Sequence, residues 1–185
     1  MNANRSDITE AEMERSQSAS PELPLFHVVL YHPEIPNNTG SVGRTCVGLG
    51  AKLWLVRPLG FQITDQKLKR AGLDYWPKLN FEVVDDWNHL QRRIAEETIA
   101  YVRKPDWWFF SKKAASLYFE QKFHAGDIFV YGPESVGLPE SMLEEQGARS
   151  LRIPVRQEIR SLNLSVSVGI TVFEAVRQLS LKEGP

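Results

Sequence analysis

Six short runs of β-forming apolar residues constrain the fold of this chain more than any other feature. Five are Leu25–Tyr31 (LFHVVLY), Ala51–Val56 (AKLWLV), Phe81–Trp87 (FEVVDDW), Asp127–Gly132 (DIFVYG) and Ser150–Val155 (SLRIPV). The sixth is either Thr98–Val102 (TIAYV) or Trp107–Ser111 (WWFFS). Runs of this length, bounded by Pro, Gly and Asp, read as buried strands. Helix-period segments separate most of them. Pro33–Gly50 opens with turn residues, then places Val42, Cys46 and Leu49 at helical spacing, with Gly50 as a stop. Further helices are expected over Asp65–Ala71 (short and basic), Trp87–Glu97, Pro139–Gln146 and about Asn163–Leu181. Strands alternating with helices argue an α/β fold with a mostly parallel sheet.

The last helix carries an apolar stripe at Leu164, Val168, Val172, Ala175 and Leu179, which Val166, Ile170, Phe173 and Val176 widen around most of the circumference. A helix apolar nearly all round is covered on several sides. One sheet covers one side, so a second subunit is the expected cover for the rest, with Val172 in the contact.

At 185 residues, 42% hydrophobic and 24% charged, the chain is long enough to bury the core of a single domain. The net charge of −1 excludes a polybasic, histone-like protein. A single cysteine, Cys46, excludes a disulfide framework and suits a reducing compartment. No run of about 18 apolar residues is present and the first residues lack a signal-peptide core, so the expectation is a cytoplasmic protein that does not engage a membrane. Met1–Pro24 has two basic and five acidic residues and little apolar mass, and is expected to be a disordered acidic tail. Residues 25–185 then form the folded domain, with a mildly basic charge of +2.

Open α/β sheets bind ligands at the carboxyl ends of their strands. Three turn-rich segments follow strands here: Asn37–Arg44 (NNTGSVGR), Gly132–Glu140 (GPESVGLPE) and Ile153–Ser167 (IPVRQEIRSLNLSVS). The chain has neither a G-x-x-x-x-G-K-[ST] phosphate loop nor a G-x-G-x-x-G after its first strand. His27, His32, His89 and His124 lack metal-ligand spacing, and Ser135 does not sit in G-x-S-x-G, so it reads as a turn residue.

The three segments, in this order, resemble the three motifs of the SpoU (TrmH-type) branch of the SPOUT RNA methyltransferases. The stretches YHPEIPNNTG and LKRAGLDYW resemble its TrmL-type members, which methylate the ribose 2′-hydroxyl of the wobble cytidine or uridine of tRNA. The resemblance implies a sheet with helices on both faces, a C-terminal trefoil knot, a homodimer, and S-adenosylmethionine as cofactor. It implies tRNA as partner and requires no metal, since a sulfonium is already an activated leaving group. Matched motif by motif, cofactor contacts fall on Phe110, Gly132, Ile153 and Ser161, largely through backbone, with Gly132 leaving room for the ligand.

Arg44 matches the arginine of the first motif. It either accepts the 2′-hydroxyl proton or stabilises the developing alkoxide and grips the neighbouring phosphate; a side-chain pKa of about 12.5 or more makes the first role awkward. Asn38 matches the motif asparagine, orienting Arg44 or the ribose, or else capping the helix. Glu134, Ser161, Asn163 and Ser165 are expected to hold the motif loops by hydrogen bonds. Lys69, Arg70, Arg156 and Arg160 neighbour these loops and are candidates for phosphate contacts. Asn37, Ser41, Trp76 and Phe173 depart from the TrmL-type pattern, which bears on RNA contacts and target. The same chemistry on ribosomal RNA, or RNA binding without catalysis, are the alternative functions.

Overall fold

The computed structural model describes residues 23–63 and 75–180. Among the described residues, seven strands form one sheet: β1 (His27–Tyr31), β2 (Lys52–Val56), β3 (Phe81–Val84), β4 (Trp107–Phe110), β5 (Ser116–Leu117), β6 (Ile128–Tyr131) and β7 (Ser150–Arg152). Their order is β3-β2-β1-β6-β4-β7-β5, and every pairing is parallel. The sixth run is therefore Trp107–Phe110. Its competitor TIAYV ends a helix and turns, with Ile99 and Val102 in solvent. The two-residue edge strand β5 carries no apolar run, so no sequence periodicity marks it.

The helices are α1 (Pro36–Leu49), α2 (Trp87–Glu97), α3 (Glu140–Gln146) and α4 (Leu164–Ser180). Alternation along the strands divides the core between the two faces. On one, Val28, Leu30, Leu53, Leu55, Phe129 and Tyr131 meet Val42 and Cys46 of α1 and Val168, Val172 and Ala175 of α4. On the other, Val29, Trp54, Val56, Phe109 and Val130 meet Leu90 and Ile94 of α2. Asp86 starts α2 by accepting a hydrogen bond from the His89 N–H at 2.7 Å. Burial pushes the Cys46 thiol up to about 12, so it is an inert core residue.

The buried half of α4 is the predicted stripe, but Val172 is fully buried in this chain's own core rather than facing a partner. The side left in solvent carries Val166 and Phe173, 48% and 55% exposed. The basic helix expected at Asp65–Ala71, with Lys69 and Arg70, lies outside the described residues, as does nearly all of the acidic tail. Among the described residues, no helix is long and apolar enough to cross a membrane.

The amino ends of the strands hold buried polar groups. Asp127, fully buried, accepts from Trp108 Nε1 at 2.9 Å and from the His124 N–H at 2.9 Å, and pairs with Arg103. Asp106 pairs with Arg103 and Arg149, each at 2.7 Å. Asp106, His124 and Asp127 thus cluster, but arginines already balance both carboxylates. Beside β1, Trp54 Nε1 donates to His27 Nδ1 at 3.1 Å. An indole can only donate, so the proton is on Nε2, which donates to the Tyr101 hydroxyl at 2.8 Å. Burial, then the nearby Lys52 charge, holds His27 down at about 3.

That depression makes stability pH-dependent. The unfolded histidine titrates near 6.5, so acid protonates the unfolded chain first. The contribution is complete above that pH and is lost as pH falls toward 3, at up to about 1.4 kcal/mol per pH unit. Urea unfolding from pH 7 to 4 should show this slope, and His27→Gln should flatten it.

Candidate active site

β6 and β7 each insert between strands already laid down, β6 between β1 and β4, β7 between β4 and β5. The carboxyl ends of β4, β6 and β7 therefore open side by side, the placement at which open α/β sheets bind ligands. A cavity of about 790 Å3 lies there. Phe110, Gly132, Ile153 and Ser161, from three separate loops, all line it, and so do Asn38 and Arg160.

The reason for Gly132 differs from expectation. A Cβ on it would lie 2.3 Å from Gly137 C and Leu138 N, so it would strike its own loop rather than a ligand. The glycine lets the segment 132–138 fold back on itself. Phe110 turns its ring into the core, stacked on Tyr131 at 4.8 Å, so its backbone is what it offers the cavity.

Hydrogen bonds tie the motifs together. Asn38 Nδ2 donates to Glu134 Oε1 at 2.9 Å, and Asn163 Nδ2 donates to Asn38 Oδ1 at 2.9 Å. Asn163 Oδ1 in turn accepts from the N–H and hydroxyl of Ser165, at 2.9 and 2.7 Å. Glu134 also accepts from the N–H groups of Glu34 at 2.8 Å and Ile35 at 3.2 Å. Asn38 is thus neither the helix cap nor a partner of Arg44 through these bonds; it joins the second motif to the third. The cap position is Ile35, which has no side chain to offer. Glu134 binds the two N–H groups just before the helix, which puts a carboxylate near the positive end of α1.

Ser135 is neither nucleophile nor idle turn. Its hydroxyl and N–H donate to the Glu34 carboxylate at 2.6 and 2.9 Å, and these bonds hold that carboxyl below its usual range. The pair returns the contact that Glu134 makes with the Glu34 backbone. The one sequence signal for this clasp is a helix start, Ile35–Pro36, with no local cap.

Arg44 stands apart from the cavity. It lies six residues beyond Asn38 on α1, about 9 Å along the axis, on the exposed side with Asn37 and Ser41. Its guanidinium carbon sits over the Tyr75 ring, 4.8 Å from the centroid. Arg156 does not line the cavity; it is in solvent, 3.7 Å from Glu158.

The SpoU rRNA methylase family model matches residues 25–173. The chain belongs to this family. It is 41% identical over 161 residues to a tRNA (cytidine(34)-2'-O)-methyltransferase of Burkholderia cenocepacia, covering 86% of this chain and 99% of that one. A namesake from Methylovorus glucosotrophus is 39% identical, covering 83% and 96%. A protein solved in work on the 2-OH methylation of C/U34 on tRNA is 42% identical, with a TM-score of 0.74, covering 87% of this chain and 99% of its own. The fold also matches AviRb of Streptomyces viridochromogenes in complex with AdoMet, at a TM-score of 0.72 and 22% identity, covering 83% and 57%.

Gly132→Ala forces backbone apart where its Cβ would sit. It should lower stability by about 1–3 kcal/mol, read by urea unfolding. An unchanged midpoint would show that the 132–138 loop has slack.

Proposed function

We propose that this protein is an S-adenosylmethionine-dependent enzyme that methylates the ribose 2′-hydroxyl of the wobble nucleotide of tRNA, in the cytoplasm. The observation that carries the reading is the convergence of Phe110, Gly132, Ile153 and Ser161 on one cavity, with the motif loops tied by Glu134, Asn38 and Asn163. The cavity is of the size that takes a cofactor, and its walls suit S-adenosylmethionine. Backbone from the 132–138 and 153–161 loops supplies directional donors and acceptors for adenine, and the surrounding apolar residues supply a dry face. When bound, the cofactor supplies a methyl group on a positively charged sulfur.

The chain's own contribution is to bring a ribose oxygen into line and favour its attack. Arg44 is the residue for the second task. A guanidinium is a poor proton acceptor and a good planar donor, which favours electrostatic stabilisation of the oxygen, or a grip on the adjacent phosphate, over proton abstraction. Arg160, at the cavity wall, is placed to meet RNA phosphate. Asn38 acts as a positioning residue, fixing the start of α1 against both cofactor loops. An unpaired anticodon loop presents its 2′-hydroxyl without opening a duplex.

Two finer features belong to the same reading. The β4–β5 link, residues 111–115, spans the end of β7, and Ser111 donates its N–H to the Leu151 carbonyl at 2.9 Å. The chain leaving β7 has to clear that bridge to reach α4, which supports a trefoil knot. The exposed apolar side of α4, Val166 and Phe173, supports a homodimer. Phe173→Asp should yield a folded monomer in sedimentation at micromolar concentration, with an unchanged circular-dichroism spectrum, because Phe173 packs little on its own chain. Persistent dimers would place the interface elsewhere.

The decisive assay is transfer of labelled methyl to unmodified tRNA transcripts, followed by nucleoside mapping. Label is expected on the wobble ribose. Label on a base atom would sink the 2′-O assignment, and label on another ribose would sink the target. Arg44→Ala and Arg44→Lys should each cut turnover by at least about a hundredfold, about 2.7 kcal/mol of barrier, with S-adenosylhomocysteine affinity little changed and no effect of chelator. Near-normal turnover in Arg44→Ala would remove Arg44 from the mechanism.

A further inference from the structure

Tyr75 is a buried aromatic residue, and its ring and hydroxyl both reach the middle of α1. Its ring lies under the Arg44 guanidinium, at 4.8 Å from centroid to Cζ. Its hydroxyl donates to the Gly40 carbonyl, one turn before Arg44. The next residue along α1 from Val42 is Gly43, and a Cβ there would lie 3.0 Å from Leu79, 3.5 Å from Trp76 and 3.6 Å from Tyr75. The glycine is therefore the point at which α1 rests on the short turn that follows Tyr75. That turn is itself firm: Lys78 N–H donates to the Tyr75 carbonyl at 2.8 Å, Leu79 N–H to the Trp76 carbonyl at 3.1 Å, and the Trp76 ring packs on Phe81 at 5.0 Å.

We infer that Tyr75 is a positioning residue for Arg44, its ring holding the guanidinium in place while its hydroxyl locks that ring to α1. The inference rests on the proposed action of Arg44 in methyl transfer. An exposed arginine loses rotamer freedom when it engages one oxygen in one geometry. A ring face that attracts the cation settles part of that freedom before substrate arrives, and it does so without neutralising the charge. The hydroxyl bond explains why a tyrosine suits the position: it fixes the ring relative to the helix that carries the arginine, so ring and guanidinium move as one body.

The test compares Tyr75→Phe, which keeps the ring face, with Tyr75→Leu, which keeps apolar bulk only. In single-turnover methyl transfer to tRNA transcript, Tyr75→Phe should stay within about threefold of wild type and Tyr75→Leu should fall about tenfold. S-adenosylhomocysteine affinity should hold for both, and turnover is read well below both melting midpoints, because removing a buried ring lowers the stability of Tyr75→Leu. In an Arg44→Ala background, Tyr75→Leu should cost nothing further. Wild-type turnover in Tyr75→Leu, or the same tenfold loss with Arg44 already removed, overturns the inference. If Arg44→Ala is impaired and Tyr75→Leu is not, only the positioning role fails; if Arg44→Ala turns over normally, the catalytic reading of Arg44 fails first. A measurement on wild-type protein stands independent of how the variants fold. The Arg44 side-chain resonances should be shifted upfield by the Tyr75 ring current, and unshifted resonances overturn the inference.

Discussion

The carboxylate of Glu134 holds together segments about a hundred residues apart in sequence. It accepts from the backbone at the start of α1 and from Asn38, while Asn38 accepts from Asn163. The Asn38 and Asn163 bonds are part-buried, and leaving one of those polar groups without its partner costs more than making the bond gains. The arrangement is therefore cooperative: displacing one loop orphans groups on the other two. The Glu34–Ser135 contact closes the clasp from the other side. A cavity wall built of three loops is ordinarily the softest part of an α/β domain. Here the loops share one hydrogen-bonded junction, so the cavity is shaped before any ligand enters.

The two ends of the sheet are built differently. At the amino ends, Asp127 and Asp106 are held by Arg103, Arg149, an indole and backbone N–H groups, and His27 is kept neutral between Trp54 and Tyr101. These groups bond to other parts of the chain. At the carboxyl ends, the polar residues of the loops bond to each other only along one side and leave the cavity open on the other. Stability is concentrated away from the site, which frees the site's own residues for ligand contacts.

The periodic features were legible in the sequence because they are local. The β-rich runs and the helix from Trp87 to Glu97 needed only their own residues to be read. Grouping Phe110, Gly132, Ile153 and Ser161 was legible only through the resemblance, since no periodicity joins residues 110 and 161. Three features were out of reach for physical reasons. TIAYV and WWFFS have similar β-propensity, and the choice between them depends on pairing with β6 and β7, which is tertiary. Gly132 was assigned to ligand clearance, whereas the close neighbour is its own loop five residues later. Val172 lies on the apolar arc of α4, but a helix apolar nearly all round does not say which part of the arc faces its own sheet; Val172 does, and Phe173 does not.

Charge gives the site its remaining logic. S-adenosylmethionine would bring a cationic sulfur to a wall that holds Arg160, Lys112 and Lys113 together with the Glu134 carboxylate, while Arg44 stands outside it on α1. Like charges brought together in a site that excludes water repel strongly. A guanidinium packed against the sulfonium would oppose cofactor binding and gain nothing until a nucleophile arrived. Arg44 does not line the cavity, so its charge is kept off that wall. RNA would reverse the balance. Each phosphate it brings is negative, and an attacking ribose oxygen would gain negative charge that Arg44 would stabilise. The arrangement rewards the cation only when substrate is present, which is the condition for an interaction to raise turnover rather than tighten the resting state.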